Sequence, residues 1–85
     1  MIIPGQPMQP GMKWMSVDAD QFESVSYSMS TRRLYLKFRN APTVYFEGVP
    51  GFRFQGLLSA PRKDAYYTTY IKGHFLSKEV PPTAV

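Results

Sequence analysis

Cysteine is absent from this sequence, and histidine occurs only once, at His74. Without cysteine the chain cannot form a disulfide framework, a thiol nucleophile or a zinc finger of the usual kind. A single histidine also provides no cluster that could ligate a metal ion. We therefore expect neither a metal site nor a bound cofactor.

Long apolar runs are also lacking. No window approaches the 18 apolar residues of a membrane-spanning helix. The first residues, Met1 to Gly5, contain neither the basic region nor the apolar run of a secretory signal. We expect a soluble cytoplasmic protein that does not engage a membrane.

The 85 residues, 44% hydrophobic and 15% aromatic, are enough for one small folded domain. A chain of this length buries only a small core and leaves little room for a catalytic cleft, so we expect no enzyme. Proline recurs near both ends, at 4, 7 and 10 and again at 81 and 82. This distribution of proline predicts a single domain over 14–76, with flexible tails at 1–13 and 77–85.

Apolar and polar residues alternate in three segments, 24–29, 33–39 and 43–47, which predicts three strands. The apolar positions, which should face the core, are Val25, Tyr27, Met29, Leu34, Leu36, Phe38, Val44 and Phe46. Short turns between the segments favour an antiparallel β-meander with one face in solvent. Trp14 and Phe22 are expected to close one end of the core.

Helical spacing replaces alternation in the last third of the chain. Phe54, Leu57 and Leu58 share one helical face, which predicts a helix over 51–59. Pro61 should open a second helix that ends near Gly73. Grouped strands followed by grouped helices predict an α+β fold: a three-stranded antiparallel β-meander with two short C-terminal helices packed on one face.

Several short motifs lie between Val17 and Phe75 in a fixed order. They are Leu34-Tyr35-Leu36-Lys37-Phe38, Gly48-Val49-Pro50, Phe54 with Leu57 and Ala60, Tyr66-Tyr67, and Ile71-Lys72-Gly73-His74-Phe75. This order resembles the KTSC domain, found at the C-terminus of some lysyl-tRNA synthetases and as a stand-alone small bacterial protein. None of the motifs is a catalytic signature. The resemblance implies the α+β fold, and the synthetase context suggests RNA binding.

Two short segments depart from the sequence pattern of the KTSC family. The family's Tyr-x-Tyr falls on Val44-Tyr45-Phe46, which lacks both outer hydroxyls and whose first and last residues should face the core. The family's Ser-x-Gly between the helices falls on Arg62-Lys63-Asp64. The first motif is therefore interpreted as structural, and the second makes the helical corner more basic.

Basic residues concentrate in 32–72, where eight basic side chains stand against two acidic ones. Aromatic rings among cations on an open sheet can stack bases and neutralise phosphates. The residues predicted to bind nucleic acid on the sheet face and on the last helix are Arg33, Tyr35, Lys37, Arg39, Tyr45, Arg62, Lys63 and Lys72.

Two hypotheses for function remain at this point, besides a sheet face that is only solvated. The first is a small non-catalytic module that binds RNA or another single-stranded nucleic acid. The alternative is a protein interaction module, in which an open edge strand pairs with a partner or with a second copy of the chain.

Overall fold

The structure, a computed structural model, describes residues 13–80. Almost all of the predicted N-terminal tail, and the part of the predicted C-terminal tail after residue 80, lie outside the described residues. The flexibility of both segments stays a prediction.

Five antiparallel strands form one sheet in chain order. They are β1 (Met15–Ser16), β2 (Phe22–Ser28), β3 (Arg33–Phe38), β4 (Val44–Phe46) and β5 (Ser77–Glu79). The α+β class and the central meander β2–β3–β4 are confirmed, but the prediction of only three strands is wrong. β1 pairs with β2 at one edge and β5 pairs with β4 at the other.

Strand β5 lies in the segment that the sequence analysis assigned to a C-terminal tail. Its three side chains are all exposed, so alternation gives no sign of it. Backbone hydrogen bonds hold the segment in place: Glu47 N–H donates to the Leu76 carbonyl at 2.9 Å, and Val80 N–H donates to the Thr43 carbonyl at 2.8 Å. The sheet therefore gains a strand mainly through main-chain pairing.

The helical layer follows the sheet. Helix α1 (Gly51–Ser59) occupies the predicted residues. Helix α2 (Lys63–Tyr66) begins two residues after Pro61, because Arg62 has an extended backbone, and it continues into the π turn (Tyr67–Ile71). Gly73 follows with a φ of +81°, which favours glycine at the end of a helix. Within 13–80, no helix has the length and apolar character needed to cross a bilayer.

The core lies between the sheet and these helices, and the strand phase of the prediction is confirmed. Apolar side chains of β2, β3 and β4 pack against α1 and the π turn. The buried members of this cluster are Ala19, Phe22, Val25, Leu34, Leu36, Phe46, Val49, Phe54, Leu57, Tyr67 and Ile71. Tyr27 stacks on Phe54, with ring centroids 4.7 Å apart, and its hydroxyl donates to the Val49 carbonyl.

A β-bulge shifts the side-chain phase near the start of β2. Phe22 pairs with Phe38, whereas Ser24 pairs with Lys37, so Glu23 is an extra residue on this strand. The bulge lets both Phe22 and Val25, three positions apart, face the core with no exposed surface. The prediction that Phe22 belongs to the core is therefore confirmed.

Two other expectations about the core are wrong. Met29 is 83% exposed, because β2 ends at Ser28 and the chain turns there. The turn includes Arg32 at a φ of +57°. Trp14 lies on the opposite face of the sheet from the core, against the ring of Tyr35.

Candidate nucleic-acid interface

Three aromatic rings line up on the sheet face that points away from the helices. The register places Ser26, Tyr35, Tyr45 and Lys78 opposite one another on successive strands. Trp14 contacts the edge of Tyr35 at a centroid distance of 6.3 Å, and Tyr35 lies 5.5 Å from Tyr45. We call Trp14, Tyr35 and Tyr45 the aromatic row.

The three rings differ in exposure. Tyr35 is only 9% exposed, because it lies between the rings of Trp14 and Tyr45. The prediction that Tyr35 offers a solvent-facing ring is therefore wrong, although its place on the outer face is as predicted. Trp14 and Tyr45 keep part of their surface exposed and are the rings that a ligand can reach. Sequence reasoning missed Trp14 because β1 has only two residues and shows no alternation.

Arg33 lies directly on the aromatic row. Its guanidinium carbon is 4.6 Å from the centroid of the Tyr45 ring, a cation–π contact. A hydrogen bond with the side chain of Tyr35 is the main cause that raises the pKa of Arg33 above its already high usual value. Arg33 therefore carries a permanent positive charge beside the ring of Tyr45.

Lys37 and Arg39 share an acidic neighbour, the bulge residue Glu23. Lys37 Nζ lies 3.7 Å from one Glu23 carboxylate oxygen and an Arg39 guanidinium nitrogen lies 3.8 Å from the other. At the far edge Lys78 Nζ lies 3.8 Å from Glu47. All three pairs are long and exposed to water, and such pairs add little stability.

Arg39 differs from the other cations because its side chain also supports the chain before β2. Its Nε and one terminal nitrogen donate to the Ala19 carbonyl at 3.2 and 3.1 Å. The backbone N–H of Arg39 donates to the Gln21 carbonyl at 3.0 Å. These bonds give Arg39 a structural role that the sequence did not reveal.

The structure does not join Arg62, Lys63 and Lys72 to the sheet face. They belong to the helical layer, where Arg62 and Lys63 lie at the start of α2 and Lys72 directly follows the π turn. Lys63 Nζ donates to the Ala60 carbonyl at 2.9 Å. These three residues therefore do not form one basic patch with the aromatic row.

Acidic groups surround the start of α2. Arg62 and Lys63 line a cleft of about 260 Å³ together with Asp18, Asp20 and Asp64. The Asp64 carboxylate accepts the backbone N–H groups of Asp20 at 2.6 Å and of Gln21 at 2.9 Å. Three carboxylates make this cleft unfavourable for phosphate. Asp64 instead joins α2 to the loop before β2.

A second cleft opens on the outer sheet face, beside the aromatic row. Its volume is about 340 Å³, and it is lined by Trp14, Ser24, Lys37 and Thr43. We call it the Trp14 pocket. Of its four lining residues, only Lys37 belongs to the set that the sequence predicts to bind nucleic acid.

The edges of the central meander are covered. β1 lies beside β2, and β5 lies beside β4, so neither meander edge is open over the paired residues. The new edges are two and three residues long, and β5 carries Lys78. Short, charged edge strands discourage pairing with another chain.

The fold and its outer face define a small α+β domain with helices on one side of the sheet and aromatic and basic side chains on the other. The family model of the KTSC domain matches residues 19–75. The chain therefore belongs to the KTSC family, and the resemblance noted in its motifs is confirmed.

Solved structures similar to this chain include that of a member of the same family. It is the crystal structure of a KTSC domain protein from Yersinia pestis, with a TM-score of 0.80 and 30% sequence identity. The match covers 84% of this chain and 100% of that chain. No curated protein matches this sequence.

Proposed function

We propose that this KTSC domain is a non-catalytic module that binds single-stranded nucleic acid on its outer sheet face. The observation that carries the proposal is the aromatic row with Arg33 on the Tyr45 ring and Lys37 close by. Trp14 and Tyr45 would stack on bases, while Arg33, Lys37 and Lys78 would neutralise phosphates. Tyr35 would support both exposed rings from between them.

Single strands suit this surface better than duplexes. Bases of a single strand are free to leave their own stack and lie on aromatic side chains, which contributes about 1–3 kcal/mol per base. The two exposed rings lie on a sheet, with Tyr35 between them. This face of the sheet therefore presents exposed rings to splayed bases, and the helices, which could enter a major groove, lie on the other face.

Pairing of an edge strand with a partner or a second copy has less support. The three-stranded meander expected from the sequence would have had two open edges, but β5 pairs with β4 along its whole length and β1 covers β2 at Ser24 and Val25. The edge strands β1 and β5 offer only two and three residues for pairing, and the part of β2 that continues beyond β1 is likewise only three residues long, at 26–28. Self-association through these edges would be seen as dimerisation by light scattering.

The test is fluorescence anisotropy of labelled single-stranded RNA and DNA oligonucleotides, titrated at low salt and at rising salt. Tyr45→Ala should weaken binding by about 5- to 150-fold through lost stacking. Lys37→Ala should weaken binding to all sequences alike and lower the salt slope by about 0.7.

Lys72→Ala is the matched control, because it removes the same charge from the helical layer. It should change binding less than Lys37→Ala does. The proposal fails if no oligonucleotide binds at low salt, or if Lys72→Ala and Lys37→Ala weaken binding equally. Dimerisation in the absence of binding, seen by light scattering, would favour the interaction hypothesis.

A further inference from the structure

We infer that the Trp14 pocket holds one nucleotide of the bound strand, with the base against the indole and the phosphate on Lys37. This inference rests on the proposed function and adds a specific site and ligand class to it. It predicts that the pocket binds a free nucleoside monophosphate without the rest of the strand.

The register explains how the pocket is built. Ser24 lies opposite Lys37 on the neighbouring strand. Thr43 directly precedes Val44, which pairs with Leu36, so Thr43 lies beside Lys37 on the other side. The floor of the pocket is therefore formed by a lysine flanked on the two neighbouring strands by hydroxyl-bearing residues. The indole of Trp14 forms an apolar wall.

The chemistry of this floor suits a phosphate. Lysine and serine or threonine hydroxyls are among the side chains that commonly bind phosphate oxygens. Neither the Ser24 nor the Thr43 hydroxyl takes part in a side-chain hydrogen bond within residues 13–80. Lys37 lies 3.7 Å from Glu23, well beyond the 2.7–2.9 Å of a charge-assisted hydrogen bond. Three donors are thus available to one anion.

The size of the pocket limits the ligand. At about 340 Å³ it lies near the lower end of the range for small-molecule sites, which is about 300–1,000 Å³. This volume suits a single nucleotide. The partly exposed indole at its wall offers a flat surface to a purine or pyrimidine.

The experiment uses the intrinsic fluorescence of Trp14, which is the only tryptophan of the chain. The full chain is titrated with adenosine monophosphate, with adenosine and with inorganic phosphate, and excited where adenine does not absorb. We expect adenosine monophosphate to change the Trp14 emission at lower concentration than either adenosine or phosphate. Lys37→Met and Thr43→Val should each weaken its binding by about 3- to 10-fold.

Lys72→Met is the matched control, because this lysine carries the same charge but lies in the helical layer and outside the pocket. It should leave the affinity for adenosine monophosphate unchanged. Lys37 and Lys72 are both exposed, so we expect each variant to keep the fold, and circular dichroism verifies this.

The outcomes separate this inference from the proposed function. If oligonucleotides bind and require Tyr45, but adenosine monophosphate leaves Trp14 unchanged or binds all variants equally, the pocket inference is overturned and the proposed function stands. If adenosine monophosphate binds and requires Lys37 and Thr43 while oligonucleotides do not bind, the pocket stands and the proposed function fails. If neither ligand binds, both fail.

Discussion

Gly56 lies in the middle of α1, where alanine would ordinarily be the better residue. In an exposed helix the change from glycine to alanine stabilises by about 1 kcal/mol. Here a Cβ at position 56 would lie 2.7 Å from Cζ and 3.1 Å from Cε2 of Tyr66, with the hydroxyl closer still. The Tyr66 ring is half-buried and packs on Tyr70 at a centroid distance of 4.7 Å. We therefore expect Gly56→Ala to force this ring out of its position.

The magnitude follows from two opposing contributions. Forcing an extra methyl group into a packed contact costs about 1–3 kcal/mol, against about 1 kcal/mol gained in helix propensity. The net expectation for Gly56→Ala is a loss of up to about 2 kcal/mol in the free energy of unfolding. Urea denaturation followed by far-ultraviolet circular dichroism measures this loss.

The same substitution in a chain that also carries Tyr66→Ala tests whether the clash with the Tyr66 ring is the cause. When Tyr66 is first replaced by alanine, the clash is gone, so Gly56→Ala should stabilise by about 0.5–1 kcal/mol. Gly51→Ala is the control within α1, since nothing lies within 4 Å of a Cβ there. The sign of the effect should therefore reverse between the two backgrounds. If Gly56→Ala stabilises the otherwise unchanged chain, the ring of Tyr66 moves aside at no cost and the reasoning is wrong.

Burial raises the pKa of Tyr67 above 10.0, so the folded state keeps this phenol neutral while the unfolded state ionises it. Stability should therefore fall as pH rises past about 10, and urea titrations should show a shallower fall for Tyr67→Phe; equal slopes would contradict this. Ser26 is fully buried and its hydroxyl lacks a hydrogen-bond partner within 13–80, so Ser26→Ala should raise the free energy of unfolding by up to about 1 kcal/mol. Ser24→Ala is the control at a partly exposed position and should change the free energy of unfolding by less than about 0.5 kcal/mol. A clear decrease in the free energy of unfolding for Ser26→Ala would instead show that the Ser26 hydroxyl has a hydrogen-bond partner.

The central meander could be predicted because its signal is local. In 33–38 the apolar residues Leu34, Leu36 and Phe38 alternate with the others. Because side chains of a strand point to opposite faces in turn, this alternation places Leu34 and Leu36 on the same face. Helix α1 could be predicted equally well, since the spacing of Phe54 and Leu57 by itself places them on one helical face. These elements occur where the sequence pattern indicated them.

The candidate site could be predicted only in part. The positions of Arg33, Lys37 and Tyr45 on the outer face follow from strand phase, and the structure places them there. The burial of Tyr35 does not follow from phase, because it depends on Trp14, which directly precedes β1 and contacts Tyr35 from outside the meander. The separation of Lys72 from the sheet face likewise depends on how the helices are placed.

Sequence alone determined which face of the meander is apolar, because burial of apolar side chains must follow the period of the backbone. Only the tertiary structure decided that β1 and β5 complete the sheet, that Glu23 forms a bulge and that Trp14 covers the outer face. The physical reason is that strand pairing is made by backbone N–H and C=O groups, which every residue except proline carries. Short polar strands such as Ser77–Glu79 therefore join the sheet without a pattern in their side chains.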